Sequence, residues 1–91
     1  MKSYSWNIDK NKLLKKERGI SFEDIIFHIQ KGDEVDIYPH PNQERYPNQF
    51  ISVVVVINYA YLIPYVEEKK DEIFLKTIIP SRKATKKYVG E

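Results

Sequence analysis

Residues 49–68, Gln-Phe-Ile-Ser-Val-Val-Val-Val-Ile-Asn-Tyr-Ala-Tyr-Leu-Ile-Pro-Tyr-Val-Glu-Glu, decide the fold. Gln49 to Ile57 is rich in valine and isoleucine and carries no charge, which predicts a strand buried on both faces. Asn58-Tyr59 is a turn candidate, and Tyr61 to Glu67 returns as the neighbouring strand. Pro64 has no N–H to give a ladder, so it predicts a bulge or an edge position there.

Working outward toward the N-terminus, Pro39 to Pro47 holds three prolines and reads as a loop, with His40 in it. Glu34 to Tyr38 alternates, which predicts a strand with Val35 and Ile37 on one side and Asp36 and Tyr38 on the other. Before it, Phe22, Ile25, Ile26 and Ile29 recur at helical spacing behind Ser21, with Asp24 placed for a capping box and Lys31-Gly32 as the stop. An earlier helix runs from Lys10 to Arg18, with Asp9 at the capping position and Gly19 closing it. Its only strong apolar pair is Leu13-Leu14, so it packs by a narrow stripe. Tyr4-Ser5-Trp6 is a short first strand.

Toward the C-terminus, Glu68 to Asp71 is a charged turn and Ile73 to Ile79 the last strand. Pro80-Ser81 then opens a short basic helix over Arg82 to Tyr88. The order is β-α-α-β-β-β-β-α. It predicts an α+β fold: an antiparallel four- to five-stranded sheet packed against two N-terminal helices, with a short C-terminal helix. Ninety-one residues make one domain, 1–91.

No cysteine is present, so thiolate nucleophiles, disulfides and cysteine-based zinc sites are excluded. The longest apolar run is far short of the ~20 residues that cross a bilayer, and Met1 to Trp6 does not read as a secretory leader. A reducing cytoplasm and no membrane association are the expectation. Charge is unevenly spread. Residues 1–20 carry six Lys or Arg against Asp9 and Glu17, residues 21–75 carry four against ten acids, and residues 76–91 carry five against Glu91. Two basic ends flank an acidic middle, and a shared basic face would attract a polyanion such as RNA or DNA. Neither an H-x-x-x-H spacing nor a glycine-rich phosphate loop occurs, so no metal and no cofactor are expected. His28 falls off the apolar stripe of its helix and reads as a surface or boundary histidine.

Several segments, in order, resemble the BrnT family. Trp6 precedes Gly19-Ile20-Ser21-Phe22, which is similar to that family's tryptophan and "G-V-S-F" helix junction. Glu44-Arg45 matches an "E-R" pair ahead of the central strands. Ile78-Ile79-Pro80-Ser81-Arg82-Lys83-Ala84-Thr85 resembles the signature "I-I-S-A-R-K-A-T". The resemblance implies a RelE-like fold, an RNA-cleaving toxin of a type II toxin–antitoxin pair, and neutralisation by a BrnA-like, DNA-binding antitoxin, with a heterotetramer as the assembly.

Metal-free RNA cleavage needs the 2′-hydroxyl deprotonated, the phosphorane charge stabilised and the 5′-oxygen protonated. The resemblance implies that cationic side chains on one sheet face do this, which nominates Lys76, Arg82, Lys83 and Arg45, with His40 as an acid–base group. Arginine suits a phosphate clamp because its planar fork engages two oxygens. Lys15, Lys16, Arg18, Lys86 and Lys87 are the expected RNA contacts. An alternative is a catalytically impaired module that binds an antitoxin or RNA without cleaving it: Glu17-Arg18 stands where the family commonly has Lys-His, and Thr77 where an arginine is usual.

Overall fold

In the computed structural model, which describes residues 2–90, the chain runs β1 (Ser3–Trp6), α1 (Ile8–Arg18), α2 (Phe22–Lys31), β2 (Glu34–Pro39), β3 (Gln49–Val56), β4 (Tyr59–Lys69), β5 (Glu72–Leu75), β6 (Ile79–Pro80) and α3 (Arg82–Tyr88). The α+β class is as expected. The sheet is not purely antiparallel. Its order is β1-β5-β4-β3-β2, with β6 on β4, and β1 lies parallel to β5, pairing Ser3 with Glu72 and Trp6 with Leu75. The helical excursion between β1 and β2 carries the chain over one sheet face, which lets the first strand dock beside a late one in the same direction.

The central hairpin forms over the expected residues. Val56 faces Tyr59 across a two-residue turn at Ile57-Asn58, one residue earlier than expected, and both turn residues have positive φ (48° and 62°). That geometry matches the strand twist and normally selects Asn-Gly. Pro64 falls in the gap between the β5 and β6 pairings, where the ladder asks for no N–H from it. The expected last strand breaks in two. Leu75 ends β5, Ile78 turns fully into the core, and the Arg18 guanidinium donates to the freed Ile78 carbonyl at 2.7 Å.

Alternation along β3 divides the two faces. Val54 joins Leu14, Ile20, Phe22, Ile25, Ile63, Ile73, Leu75 and Ile78 in a core beneath α1 and α2. Val53 joins Ala60 and Ala84 in a smaller cluster beneath α3. α2 is held by the capping box expected from the sequence, the Ser21 hydroxyl accepting from Asp24 N and the Asp24 carboxylate accepting from Ser21 N. α1 is capped not by Asp9 but by Asn7, whose side chain accepts from Lys10 N at 2.9 Å; Asp9 lies within the first turn, where its charge suits the helix dipole.

β2 alternates as expected, with Asp36 and Tyr38 together on one face, and a bulge precedes that alternation. Glu34 faces Val54 while Asp36 faces Val53, so Val35 is the extra residue. Val35 and Ile37 are exposed, and the acids Glu34 and Asp36 are half-buried. Partners distant in sequence make this tolerable: Ser52 donates to Glu34, and the Tyr88 phenol donates to Asp36.

Candidate nucleic-acid interface

α3 is a seven-residue helix that carries Arg82, Lys83, Lys86 and Lys87 and no acidic residue. So short a helix is not stable by propensity; the sheet holds it. Ser81 N donates to the Ala60 carbonyl at 3.0 Å, and the Thr85 hydroxyl accepts from Ala60 N at 2.9 Å while donating to the Ser81 carbonyl at 2.7 Å. The Ser81 hydroxyl caps Ala84 N. At the far end, the Tyr88 phenol reaches across to Asp36 on β2, and Lys87 Nζ lies 5.2 Å from the Tyr88 ring centre.

Between α3 and the β2–β4 surface lies a concavity of about 400 Å³ with Val53 and Leu62 as its floor and Asp36, Tyr38, Lys83 and Lys87 at its walls. All four α3 cations are exposed. The hydrogen bond to Asp36 holds the Tyr88 phenol above its ordinary pKa. Cations set beside tyrosine faces and an apolar floor can engage phosphates and stack bases.

The nominated residues are only partly gathered here. Arg82, Lys83, Lys86 and Lys87 share α3. His40 continues the Asp36–Tyr38 alternation onto the same face, its N–H bonded to the Gln49 carbonyl, and its ring lies against Tyr46, tilted by 40°, with centroids 4.4 Å apart. Arg45 lies over Tyr46 at 5.6 Å in the same loop. Gln49 and Val53, the β3 residues opposite His40 and Asp36, are four positions apart, so His40 sits ~13 Å along the strand from Asp36 and ~7 Å from Tyr38 at the near wall of the concavity.

Lys76 is not in a strand. It follows β5, lies 5.9 Å from the Phe74 ring, and lines an open groove with Lys10 and Leu13 of α1. Lys15 and Lys16 are exposed on α1, the helix that covers the opposite sheet face. The shared basic face expected of the two termini therefore does not include the α1 lysines; the sheet lies between them and α3. Arg18 is the exception among α1 cations, bound to the Ile78 carbonyl at the edge where the chain passes toward α3.

Sequence reading missed Asp36, Tyr38 and Tyr88 as parts of this surface. Their signal was the unpaired acid in a strand, but Tyr88 lies 52 residues from Asp36 and nothing local joins them.

No family model, curated protein or solved structure matches the chain. The geometry stands alone. No described helix is long and apolar enough to cross a membrane.

Proposed function

We propose that the chain is a metal-independent endoribonuclease with a RelE-like fold, the toxin of a type II toxin–antitoxin pair in the cytoplasm. A DNA-binding antitoxin neutralises it, in a heterotetramer. One observation carries the reading: a helix with four cations and no acid is fastened, by Ser81 and Thr85, over a tyrosine-lined concavity on the sheet. The segment that builds this arrangement, Ile78 to Thr85, is the one that resembles the BrnT signature. Among the described residues no group of three or more His, Cys, Asp or Glu side chains is placed to hold a metal ion.

The test is incubation of the purified protein with total RNA and with ribosome-bound message, in chelator at physiological salt. Degraded RNA, growth arrest on expression and relief by a co-expressed antitoxin are expected. Replacing Arg82, Lys83, Lys86 and Lys87 by alanine should weaken binding of all RNA sequences alike and lower the salt slope by about one for each phosphate no longer neutralised. Intact RNA with the wild-type protein would end the enzymatic reading.

A second reading, a module that binds RNA or an antitoxin without cleavage, is favoured by the separation of Lys76 and Arg45 from Arg82. It predicts RNA binding without cleavage and unimpaired growth.

A further inference from the structure

A second groove, about 370 Å³, lies where α1 passes into α2 and meets the β3–β4 turn, and is lined by Arg18, His28, Asp24, Ile57, Tyr59 and Tyr61. His28 is mostly covered, its side chain 15% exposed, and its Nδ1 lies 2.7 Å from the Asp33 carboxylate. Asp33 is fixed in turn: its N–H donates to the His28 carbonyl at 2.8 Å, and its carbonyl accepts from Val55 N at 3.0 Å. The Asp33 contact takes up Nδ1, so the nitrogen not engaged by Asp33 is Nε2; the neutral tautomer that donates Nδ1–H to Asp33 would carry its lone pair there. A carboxylate that sets the tautomer and orientation of a histidine is the arrangement acid–base chemistry needs.

Arg18 brings the charge. One of its five N–H donors binds the Ile78 carbonyl, which anchors the guanidinium, and it makes no ion pair among the described residues. The groove's rim is the turn residue Ile57, a β-branched side chain held at φ 48° and 87% exposed. Both features are unfavourable, and strain of that kind gathers at functional sites. Tyr59 and Tyr61 meet edge to face at 5.7 Å and supply two phenols.

We propose that this groove is the acid–base centre that cleaves an RNA phosphodiester, with His28 as general base, Arg18 on the phosphate and Asp33 as a positioning residue. The proposal rests on the ribonuclease reading and supplies a histidine that shares its groove with an arginine and is oriented by a carboxylate. Arg82 follows Ile78 by four residues, a chain length of at most ~14 Å, so one RNA strand held on α3 can reach the groove. In the step, His28 Nε2 takes the 2′-hydroxyl proton as the O2′–P bond forms and the P–O5′ bond breaks. The 5′-oxygen leaves with a phenol proton from Tyr59 or Tyr61, and the imidazolium returns its proton to that phenolate through water. The products are a 2′,3′-cyclic phosphate and a 5′-hydroxyl, with the protein unchanged.

The experiment compares wild-type protein with H28Q, R18K and D33N on one RNA oligonucleotide under single-turnover conditions, together with RNA affinity and imidazole ¹⁵N spectra. Cleavage by H28Q should fall roughly 100-fold or more with affinity unchanged, because general-base catalysis contributes on that order. R18K should lose about 10-fold or more, since lysine keeps the charge but not the fork; it carries the test if H28Q does not fold. The wild-type spectrum should show Nδ1 protonated and Nε2 bare, and D33N should lose that signature along with rate. H28Q or R18K cleaving like wild type, or products without cyclic phosphate ends, would overturn the proposal and leave the ribonuclease reading standing. A wild-type protein that cleaves no RNA would overturn both.

Discussion

The two faces of the sheet are built to different standards. Under α1 and α2, nine buried residues form one core, with Phe22, Ile25, Val54, Ile63 and Ile78 fully covered and Trp6 stacked on Phe22 at 5.8 Å. Under α3, three buried residues suffice, and the helix is kept in place mainly by hydrogen bonds to Ala60 and Asp36. Apolar burial is the dominant favourable term in folding, so stability resides on the first face. Hydrogen bonds to a sheet add less net energy but fix position, and the second face relies on them. In a domain of this size α3 can be so lightly attached because the other face is closed.

The difference predicts unequal responses to substitution. F22A should cost about 3–5 kcal/mol in denaturant unfolding, a large part of the 5–15 kcal/mol such a domain possesses, whereas L62A on the half-buried α3 side should cost roughly 1–2 kcal/mol. Equal losses would mean the two faces share one core. Capping serines give a finer comparison. S21A removes the reciprocal box that starts α2 and should lower the melting temperature by about 4–8 °C, for a loss near 1 kcal/mol. S81A should leave the global transition within about 2 °C while speeding amide exchange over Arg82–Tyr88 and weakening RNA binding. If S81A unfolds the protein as readily as S21A, α3 belongs to the cooperative core.

The smallest expected effect is alkaline. Tyr4 and Tyr65 under the helices have phenol pKa values raised chiefly by burial, and Tyr88 has one raised chiefly by its hydrogen bond to Asp36. Because the folded-state pKa lies above the unfolded one, the Tyr88–Asp36 contribution is complete below about pH 10 and is lost as pH rises through the Tyr88 pKa. Tyrosinate absorbance and circular dichroism should therefore show α3 loosening in Y88F at neutral pH and in wild type only at alkaline pH. An alkaline profile unchanged by Y88F would count against the contact.

Which parts of this are legible in the sequence follows the same division. The α2 box, the Gly19 and Gly32 stops and the β3–β4 hairpin are local, with signals a few residues apart; the box and the stops stand where predicted and the hairpin's turn within one residue. The limits of α3 are legible for the same reason. The bulge at Val35 is not, because simple alternation places Val35 and Ile37 together and cannot see that Ser52 and Tyr88 satisfy the two acids. The parallel docking of β1 is equally invisible, since an extended tripeptide does not encode its neighbour. For the sites, charge runs identify the α3 cations but cannot tell which side of the sheet the α1 lysines take. His28 reads as a boundary residue because its partner comes after the α2 stop; only the left-handed turn at Gly32, φ 104°, brings Asp33 back against the imidazole.

The alliance of β1 with β5 also sets a schedule. Ser3 is made well before its partner Glu72, which follows 69 positions later, a wait of roughly 3–14 seconds at ordinary rates of translation. Until then Tyr4 and Trp6 have no strand beside them, and the half-made chain exposes apolar surface that a chaperone could hold. The sheet cannot close over β1 until β5 has been made.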